Sequence, residues 1–246
     1  MAAIALLTGA SGGLGQALAR ELRQEGWTVA LVGRDLERLR AAYGAEAPCI
    51  AADVSTPEGA KRALEQCREL VGVPTALAHC AGTTLLSPLH RTPPEMYRAC
   101  LTANLDSAFF TLGAFVDALR QAREPGAAVL VSSVVARIGV SNHEAIAAAK
   151  AGLEGLVRSA AATYAPSRIR INAVAPGIMD TPAVARIIGN EASRAGAAKQ
   201  YPLPGIGDPA DLARLMAWLL SNKANWITGQ VWAVDGGFSS VRPFVK

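Results

Sequence analysis

A glycine-rich turn set between an apolar run and an amphipathic segment constrains the fold of this chain more than any other feature. The run AIALL at residues 3–7 predicts a buried strand, TGASGGLG at 8–15 a tight turn, and QALARELRQEG at 16–26 a helix that ends at a glycine. A second strand-like run, TVALVG, follows at 28–33. Strand, turn, helix and strand in this order predict a βαβ unit with parallel strands.

The glycines of this turn are spaced to hold a phosphate. Gly9 and Gly13 let the backbone turn and approach a pyrophosphate, while Gly15 lets the helix pack closely on the strand. The helix N-terminus offers unpaired N–H groups to the anion. The sequence therefore predicts a dinucleotide-binding turn, to which five residues contribute: Gly9, Ser11, Gly13, Leu14 and Gly15.

The same turn also matches the G-x-S-x-G pattern of a hydrolase, with Ser11 as the nucleophile. Such a serine needs an earlier loop to complete its oxyanion hole, and only seven residues precede Thr8. We therefore set the hydrolase interpretation aside and expect Ser11 to bind phosphate or its own turn.

The residues that follow the second and third strand-like runs bear on the identity of the dinucleotide. Arg34 stands where a carboxylate would hold the ribose of NAD, and an arginine there can pair with the 2′-phosphate of NADP. This favours NADP(H), although Arg34 can instead pair with Asp35 on the surface. At the end of CIAADV (49–54), Asp53 and Val54 are placed to meet the adenine, while Asp53 is equally suited to cap the helix that follows.

Composition and charge indicate one domain without a nucleic-acid or metal site. The 246 residues contain no linker, repeat or low-complexity stretch, and the first apolar run is too short for a signal peptide or a membrane span. The net charge of +4 is interleaved with glutamates, as in DLERLR, which favours solvated helix faces. Four dispersed cysteines without a CxxC pair predict free thiols in a reducing cytoplasm, and the three histidines are also dispersed.

Several motifs, in order along essentially the whole chain, resemble the short-chain dehydrogenase/reductase family. They are TGxxxGxG at 8–15, HCAG at 79–82, Asn104 in TANLDSAFF, Ser133 in VLVSSVV, INAVAPGIMDT at 171–181 and ITGQVWAVDGG at 227–237. The resemblance implies an α/β fold: a single-domain, Rossmann-like, doubly wound parallel sheet of seven strands with helices on both faces. The alternation of strand-like and helix-like stretches agrees with this fold independently.

The resemblance also implies a set of site residues. Ser133 would position a carbonyl, Lys150 would hold the cofactor ribose and lower the pKa of a phenol, and Asn104 would support a water chain. The cofactor-binding positions that it adds are Ala81, Gly82, Lys150, Pro176, Gly177, Ile178 and Thr181. Of these, Ile178 and Thr181 would face the nicotinamide carboxamide. Residues 181–201 resemble the family's mobile substrate loop.

One expected residue is missing. The family keeps Tyr-x-x-x-Lys about thirteen residues after the serine, and here Lys150 is in register whereas the tyrosine position is Ile146. Isoleucine cannot donate a proton, and removing a positioned general acid typically slows a reaction on the order of 10²–10⁴-fold. A milder departure replaces two asparagines by His79 and Cys80.

His143 is the nearest candidate for a substitute proton donor. It falls on the same helix stripe as residues 146 and 150, and its spacing to Lys150 equals that of the tyrosine in the enoyl-reductase branch of the family. Ser141 and Glu144 form a capping-box pattern that would put His143 in the first helical turn. There the helix dipole favours neutral imidazole, which still donates from one nitrogen. The alternative is a lining residue without a proton role.

These residues predict an NADP(H)-dependent oxidoreductase that transfers hydride to or from a small carbonyl, alcohol or enone with non-standard proton delivery. The alternative is a catalytically silent NADP(H)-binding protein that senses redox state or supports an assembly. The alanine- and glycine-rich helix predicted at 145–165 has a smooth face that favours close helix contact. The family resemblance implies a homodimer or homotetramer through this helix and its neighbour at roughly 93–120.

Overall fold

Seven parallel strands form one sheet at the centre of the computed structural model, which describes residues 3–242. The strands are β1 (Ile4–Thr8), β2 (Thr28–Gly33), β3 (Cys49–Ala51), β4 (Ala76–His79), β5 (Gly126–Val131), β6 (Ile169–Pro176) and β7 (Val231–Val234). Their order in the sheet is β3-β2-β1-β4-β5-β6-β7, and every neighbouring pair is parallel. The predicted seven-stranded fold is confirmed.

Helices cover both faces of this sheet. They are α1 (Gly13–Gln24), α2 (Leu36–Tyr43), α3 (Pro57–Leu70), α4 (Pro94–Leu101), α5 (Ser107–Ala122), α6 (Glu144–Tyr164), α7 (Ala185–Ile188), α8 (Glu191–Ala198) and α9 (Pro209–Leu220). Phe115 of α5 and Leu153 of α6 belong to the apolar core on one face, whereas Leu18 of α1 and Met216 of α9 belong to the core on the other. Most of the strands are apolar runs because both of their faces are buried. The edge strand β7 is partly exposed.

The order of the strands places a binding crevice at one edge of the sheet. The chain winds from β1 outward through β2 to β3, then returns to β4 on the other side of β1. In doubly wound sheets, ligands bind beyond the carboxyl ends of the strands at the point where the order reverses. Thr8 and His79 end the two strands that flank this point.

Two predicted helix starts are wrong. Helix α1 begins at Gly13 rather than at residue 16, because a first helical turn needs no intrahelical partner for its N–H groups and tolerates glycine there. The capping box at Ser141 does not form. Asn142 takes a left-handed φ of 64°, which keeps Ser141 outside the helix, and α6 begins at Glu144 with His143 as an N-cap that makes no side-chain capping bond.

The helical run Pro94–Ala122 is the one run among the described residues that is long and apolar enough to cross a membrane by length and composition. Within the fold this run is a core element, since Leu112, Phe115 and Leu119 are almost completely buried against the sheet.

Candidate active site

A cavity of about 410 Å³ opens at the carboxyl ends of the strands beside the first turn of α1. We call it the carboxyl-edge cavity. Its walls bring together eleven of the predicted site residues: Leu14, Ala81, Gly82, Asn104, Ser133, His143, Lys150, Pro176, Gly177, Ile178 and Thr181. Ile146 lines the same cavity. A larger cavity of about 800 Å³ lies elsewhere, around Trp27 and Trp226, and contains none of them.

Lys150 lies at the base of this cavity, with 7% of its surface exposed. Its Nζ donates a 2.7 Å hydrogen bond to the carbonyl oxygen of Val131 at the end of β5. Burial lowers the pKa of Lys150 to about 8, opposed by the nearby thiols of Cys100 and Cys80. A lysine held in this way changes charge near neutral pH.

Gly82 leaves room for the polar groups at the cavity base. A Cβ atom at this position would lie 2.6 Å from Asn104 Oδ1 and 3.5 Å from Lys150 Nζ. The missing side chain therefore lets the loop after β4 pass close to both groups.

Asn104 sits in a π-helical turn, Thr102–Asp106, between α4 and α5. Its fully buried amide nitrogen donates to the carbonyl oxygens of Thr83 at 3.1 Å and Cys100 at 2.9 Å, and its Oδ1 accepts from the Thr83 N–H at 3.2 Å. Such π-turns recur at functional sites. Here Asn104 fixes the loop after β4 to the helix, and both of its amide hydrogens are engaged.

Ser133 follows β5 and begins a short 3₁₀ turn at Val134–Ala136. Its Oγ accepts a long 3.4 Å hydrogen bond from the Val135 N–H. The preceding Ser132 donates at 2.9 Å to the buried carboxylate of Glu154, which also accepts at 3.0 Å from Arg137 Nε. This brace on α6 holds the loop that presents Ser133 to the cavity.

His143 presents an acceptor, not a donor, when its imidazole is neutral. Its Nδ1 lies 2.7 Å from the carbonyl oxygen of Ser141, and because a carbonyl only accepts, Nδ1 must carry the hydrogen. Nε2 then carries a lone pair and no hydrogen. The hydrogen-bond donor that the sequence assigned to a neutral imidazole is therefore used inside the turn that precedes α6.

The His79 side chain connects β1 to α5 through two buried hydrogen bonds. Its Nδ1 is 3.0 Å from Thr8 Oγ1 and its Nε2 is 3.2 Å from Ser107 Oγ. Because Ser107 donates its own proton to the Ala103 carbonyl, Nε2 must donate and Nδ1 must accept from Thr8. Burial lowers the pKa of His79 to about 3, so the ring is neutral and ties β1, β4 and α5 together.

The glycine turn has the geometry of an anion site. Gly12 is the N-cap of α1 and supplies no side-chain bond, so the first N–H groups of the helix stay available. Gly9 has a left-handed φ of 66°, and a Cβ on Gly15 would lie 2.4 Å from the Gly9 carbonyl oxygen. The carbonyl oxygen of Ser11 accepts from Gln16 Nε2 at 3.0 Å. A phosphate fits this turn.

Arg34 is exposed directly after β2. Asp35 is the N-cap of α2 and accepts at 3.0 Å from the Arg38 N–H, and the described residues contain no ion pair between Arg34 and Asp35. Of the two roles left open for Asp53, helix capping is not found. Thr56 caps α3, while the Asp53 carboxylate accepts hydrogen bonds from the backbone N–H and the hydroxyl of Ser55. The Ser55 hydroxyl lowers the pKa of Asp53, and Arg34 adds to this effect. Val54 beside it is buried.

Sequence reasoning missed Tyr201. This residue follows α8 and lines the carboxyl-edge cavity, with its hydroxyl oxygen accepting a 2.7 Å hydrogen bond from the Ile178 N–H. A Cβ on Gly177 would lie 2.8 Å from its ring. Tyr201 lies far along the sequence from both Ser133 and Lys150, and no motif marks it, so the sequence does not reveal that a distant loop contributes this wall.

Comparison with known proteins gives one consistent result. Residues 9–239 match the family model described as enoyl-(acyl carrier protein) reductase. The chain is 33% identical to cyclohexanol dehydrogenase from an Acinetobacter strain, over 96% of this chain and 95% of that protein. It is 32% identical to an inactive 2-(S)-hydroxypropyl-CoM dehydrogenase from Xanthobacter autotrophicus, over 91% of this chain and 100% of that protein.

Among solved structures, that of ElxO with NADP bound superimposes with a TM-score of 0.91 at 25% identity, over 98% of this chain and 100% of ElxO. A tyrosine-to-phenylalanine variant of ElxO with NADPH bound superimposes with a TM-score of 0.90. The ordered motifs, the strand order, the family model and these relatives agree. The chain belongs to the short-chain dehydrogenase/reductase family, an oxidoreductase family that binds nicotinamide cofactors.

Proposed function

We propose that this protein is an NADP(H)-dependent oxidoreductase that interconverts a small carbonyl or enone and its reduced form. One observation carries the proposal: Ser133 and Lys150 line one cavity beside an uncapped helix N-terminus, at the reversal point of the sheet. Bound NADP(H) would supply or accept the hydride. The protein supplies binding, orientation and protons.

The glycine turn and the walls of the carboxyl-edge cavity would hold the cofactor along its length. In this proposal Gly9, Ser11, Gly13 and Gly15 meet the pyrophosphate, and Asp53 and Val54 lie toward the adenine. Arg34 would bind the 2′-phosphate, and its exposure without an Asp35 partner supports NADP over NAD. Ala81, Gly82, Pro176, Gly177, Ile178 and Thr181 would surround the nicotinamide half.

The substrate side of the cavity favours an apolar molecule with a single oxygen. Its walls are mostly aliphatic and aromatic: Leu86, Val135, Val140, Ile146, Val184, Ile187 and Phe238. Apolar walls with a few polar groups fix one end of a ligand and leave its body to the hydrophobic effect. Cyclohexanone and cyclohexenone are suitable first probes, because one relative is named a cyclohexanol dehydrogenase.

Proton delivery in this cavity cannot follow the usual route, because Ile146 occupies the tyrosine position. In this proposal His143 Nε2, which carries a lone pair when the imidazole is neutral, accepts a hydrogen bond from the hydroxyl of an alcohol substrate. We therefore expect His143→Ala to weaken the binding of cyclohexanol, which has a hydroxyl to donate, more than the binding of cyclohexanone.

The test of this function is turnover. Purified protein should consume NADPH with members of a panel of cyclic ketones and enones, followed by the loss of NADPH absorbance. Binding of NADPH without turnover of any compound in a broad panel would refute the oxidoreductase proposal.

A silent NADP(H)-binding protein is the second candidate, favoured by Ile146 itself. Its side chain is 5% exposed and packs in an apolar cluster with Cys100, Val134, Val135 and Ala145, and one relative is named inactive. If Ile146→Tyr creates activity that the wild type lacks, the silent reading is supported. Wild-type activity equal to that of the variant refutes it.

We also propose that the protein forms a homodimer or homotetramer through α5 and α6. Phe109 on α5 is 58% exposed, and Cβ atoms on Gly113 and Gly155 would meet open space, which leaves a smooth outer face. Phe109→Glu should lower the molar mass measured by light scattering. The matched control is Leu70→Glu, equally exposed at 57% at the end of α3, and it should leave the mass unchanged.

The four unpaired cysteines are in keeping with the predicted cytoplasmic location.

A further inference from the structure

We propose that the Tyr201 hydroxyl is the donor to the substrate oxygen in the carboxyl-edge cavity, in place of the phenol that Ile146 lacks. This inference rests on the proposed oxidoreductase function and adds a catalytic residue to it. Of the tyrosines in residues 3–242, Tyr201 is the one that lines this cavity.

The hydrogen bonding of Tyr201 leaves its proton available. Its oxygen accepts from the Ile178 N–H at 2.7 Å, and within residues 3–242 no group accepts the proton of this hydroxyl. An N–H that donates to the phenol oxygen also stabilises a phenolate, which makes the proton easier to give. Burial acts in the opposite direction and raises the pKa of Tyr201, so the group stays protonated at neutral pH.

The ring of Tyr201 is also connected by packing to the residues around Ile146. The Tyr201 ring lies 5.1 Å from the ring of Phe238, centroid to centroid. Phe238 in turn packs against the apolar cluster that contains Ile146. Phe238 thus connects Tyr201 with the apolar cluster that contains Ile146.

The other polar groups of the cavity are less suited to give a proton. Both amide hydrogens of Asn104 are engaged, and neutral His143 offers only a lone pair. The Ser133 hydroxyl is a much weaker acid than a phenol. The Lys150 ammonium is held at the base of the cavity by the Val131 carbonyl.

The proton transfer balances without a further reagent. As the carbonyl carbon of the substrate accepts hydride, the π pair of the C=O bond moves to oxygen. Tyr201 then gives that oxygen its proton and an alcohol O–H bond forms. The phenolate, stabilised by the Ile178 N–H, takes a replacement proton from water. The reverse sequence describes alcohol oxidation.

The test compares Tyr201→Phe, which keeps the ring against Phe238, with Tyr164→Phe, which removes a hydroxyl at the end of α6 outside the cavity. Three quantities are measured on the purified protein. They are the affinity for NADPH by fluorescence, the affinity for cyclohexanone in the presence of NADP⁺ by calorimetry, and the single-turnover rate of cyclohexanone reduction. The complex with NADP⁺ and cyclohexanone cannot transfer hydride, so its affinity reports the contact between Tyr201 and the ketone oxygen in the absence of turnover.

We expect Tyr201→Phe to bind cyclohexanone about 5–10-fold more weakly and to reduce it on the order of 10²–10⁴-fold more slowly. Its NADPH affinity should stay within about twofold of wild type, because no cofactor contact is lost. Tyr164→Phe should match the wild type in all three measurements.

Equal ketone affinities for Tyr201→Phe and wild type would overturn the proposal, as would a wild type that binds no ketone. Tighter NADPH binding with unchanged ketone affinity would also overturn it, because the phenol would then be competing with the carboxamide for the Ile178 N–H. If Tyr201→Phe weakens ketone binding but the wild type transfers no hydride, the contact at Tyr201 stands and the oxidoreductase function fails.

Discussion

Replacing Lys150 with methionine should change the pH dependence of folding stability in a defined direction. Burial lowers the pKa of Lys150 from 10.5 to about 8, so between these values the unfolded chain binds more protons than the folded one. Stability contributed by this group is therefore fully present above pH 10.5 and is lost as the pH falls through 8. Methionine has a similar length and carries no proton.

The size of the effect follows from the shift. A difference of about 2.5 pK units at about 1.36 kcal/mol per unit gives roughly 3 kcal/mol, with little solvent screening because the side chain is 7% exposed. The variant also loses the hydrogen bond to Val131, which contributes about 0.5–1.5 kcal/mol when the amine is neutral, and this loss sets the stability difference at pH 11. The change in the stability difference between pH 7 and pH 11 therefore isolates the buried charge.

The measurement is the free energy of unfolding in urea for cofactor-free wild type and Lys150→Met at several pH values between about 7 and 11. Wild type should gain roughly 3 kcal/mol relative to the variant across this range. Lys61→Met is the control, because Lys61 is 76% exposed on α3 and its surface ion pair with Glu65 contributes little to stability. Parallel curves for wild type and Lys150→Met would refute the argument that the folded protein dehydrates this ammonium.

Three further substitutions test the proposed 2′-phosphate contact, the hydrogen bonds at the carboxyl ends of β1 and β4, and the base of the carboxyl-edge cavity. Arg34→Glu should weaken NADPH binding by more than about tenfold, because a charge-assisted contact to the 2′-phosphate is lost, and should have little effect on NADH binding. Both affinities are measured by fluorescence titration, with Arg38→Glu as the control. Equal losses of affinity for NADPH and NADH would contradict the assignment of Arg34 to the 2′-phosphate. His79→Ala should lower the urea-unfolding free energy by about 2 kcal/mol or more, since two buried partners lose their bonds. The exposed His90→Ala should change it by less than about 0.5 kcal/mol, and similar values for both would contradict the structural role. Gly82→Ala should lower stability by about 1–3 kcal/mol in the same assay, and no change would show that the cavity base has room for a methyl group.

The fold was predictable from the sequence because its signals are local and repeated. Most strands are apolar runs with both faces buried, and the glycine turn fixes how the first strand joins the first helix. Boundaries were less accurate. The start of α6 depended on the left-handed backbone of Asn142, which the capping-box pattern around it does not reveal.

The candidate site was predictable only in part, for a related reason. Ser133 and Lys150 were found because each stands in register with a motif, and both line the cavity. Tyr201 lies in the loop after α8, and its place in the wall depends on the long-range contact with Ile178. Likewise, the sequence does not show that His143 Nδ1 donates its hydrogen to the Ser141 carbonyl, because this bond depends on the geometry of the turn before α6.

Isoleucine at position 146 changes more than the supply of protons. It sits in an apolar cluster on the same helix as Lys150, and such neighbours offer no hydrogen bond to an ammonium. Among the described residues Lys150 is then bonded to the Val131 carbonyl, and burial acts on its charge with little compensation. Ile146 also brings no hydroxyl from this part of α6 into the cavity, so in our proposal the phenol comes instead from Tyr201, in the loop before α9.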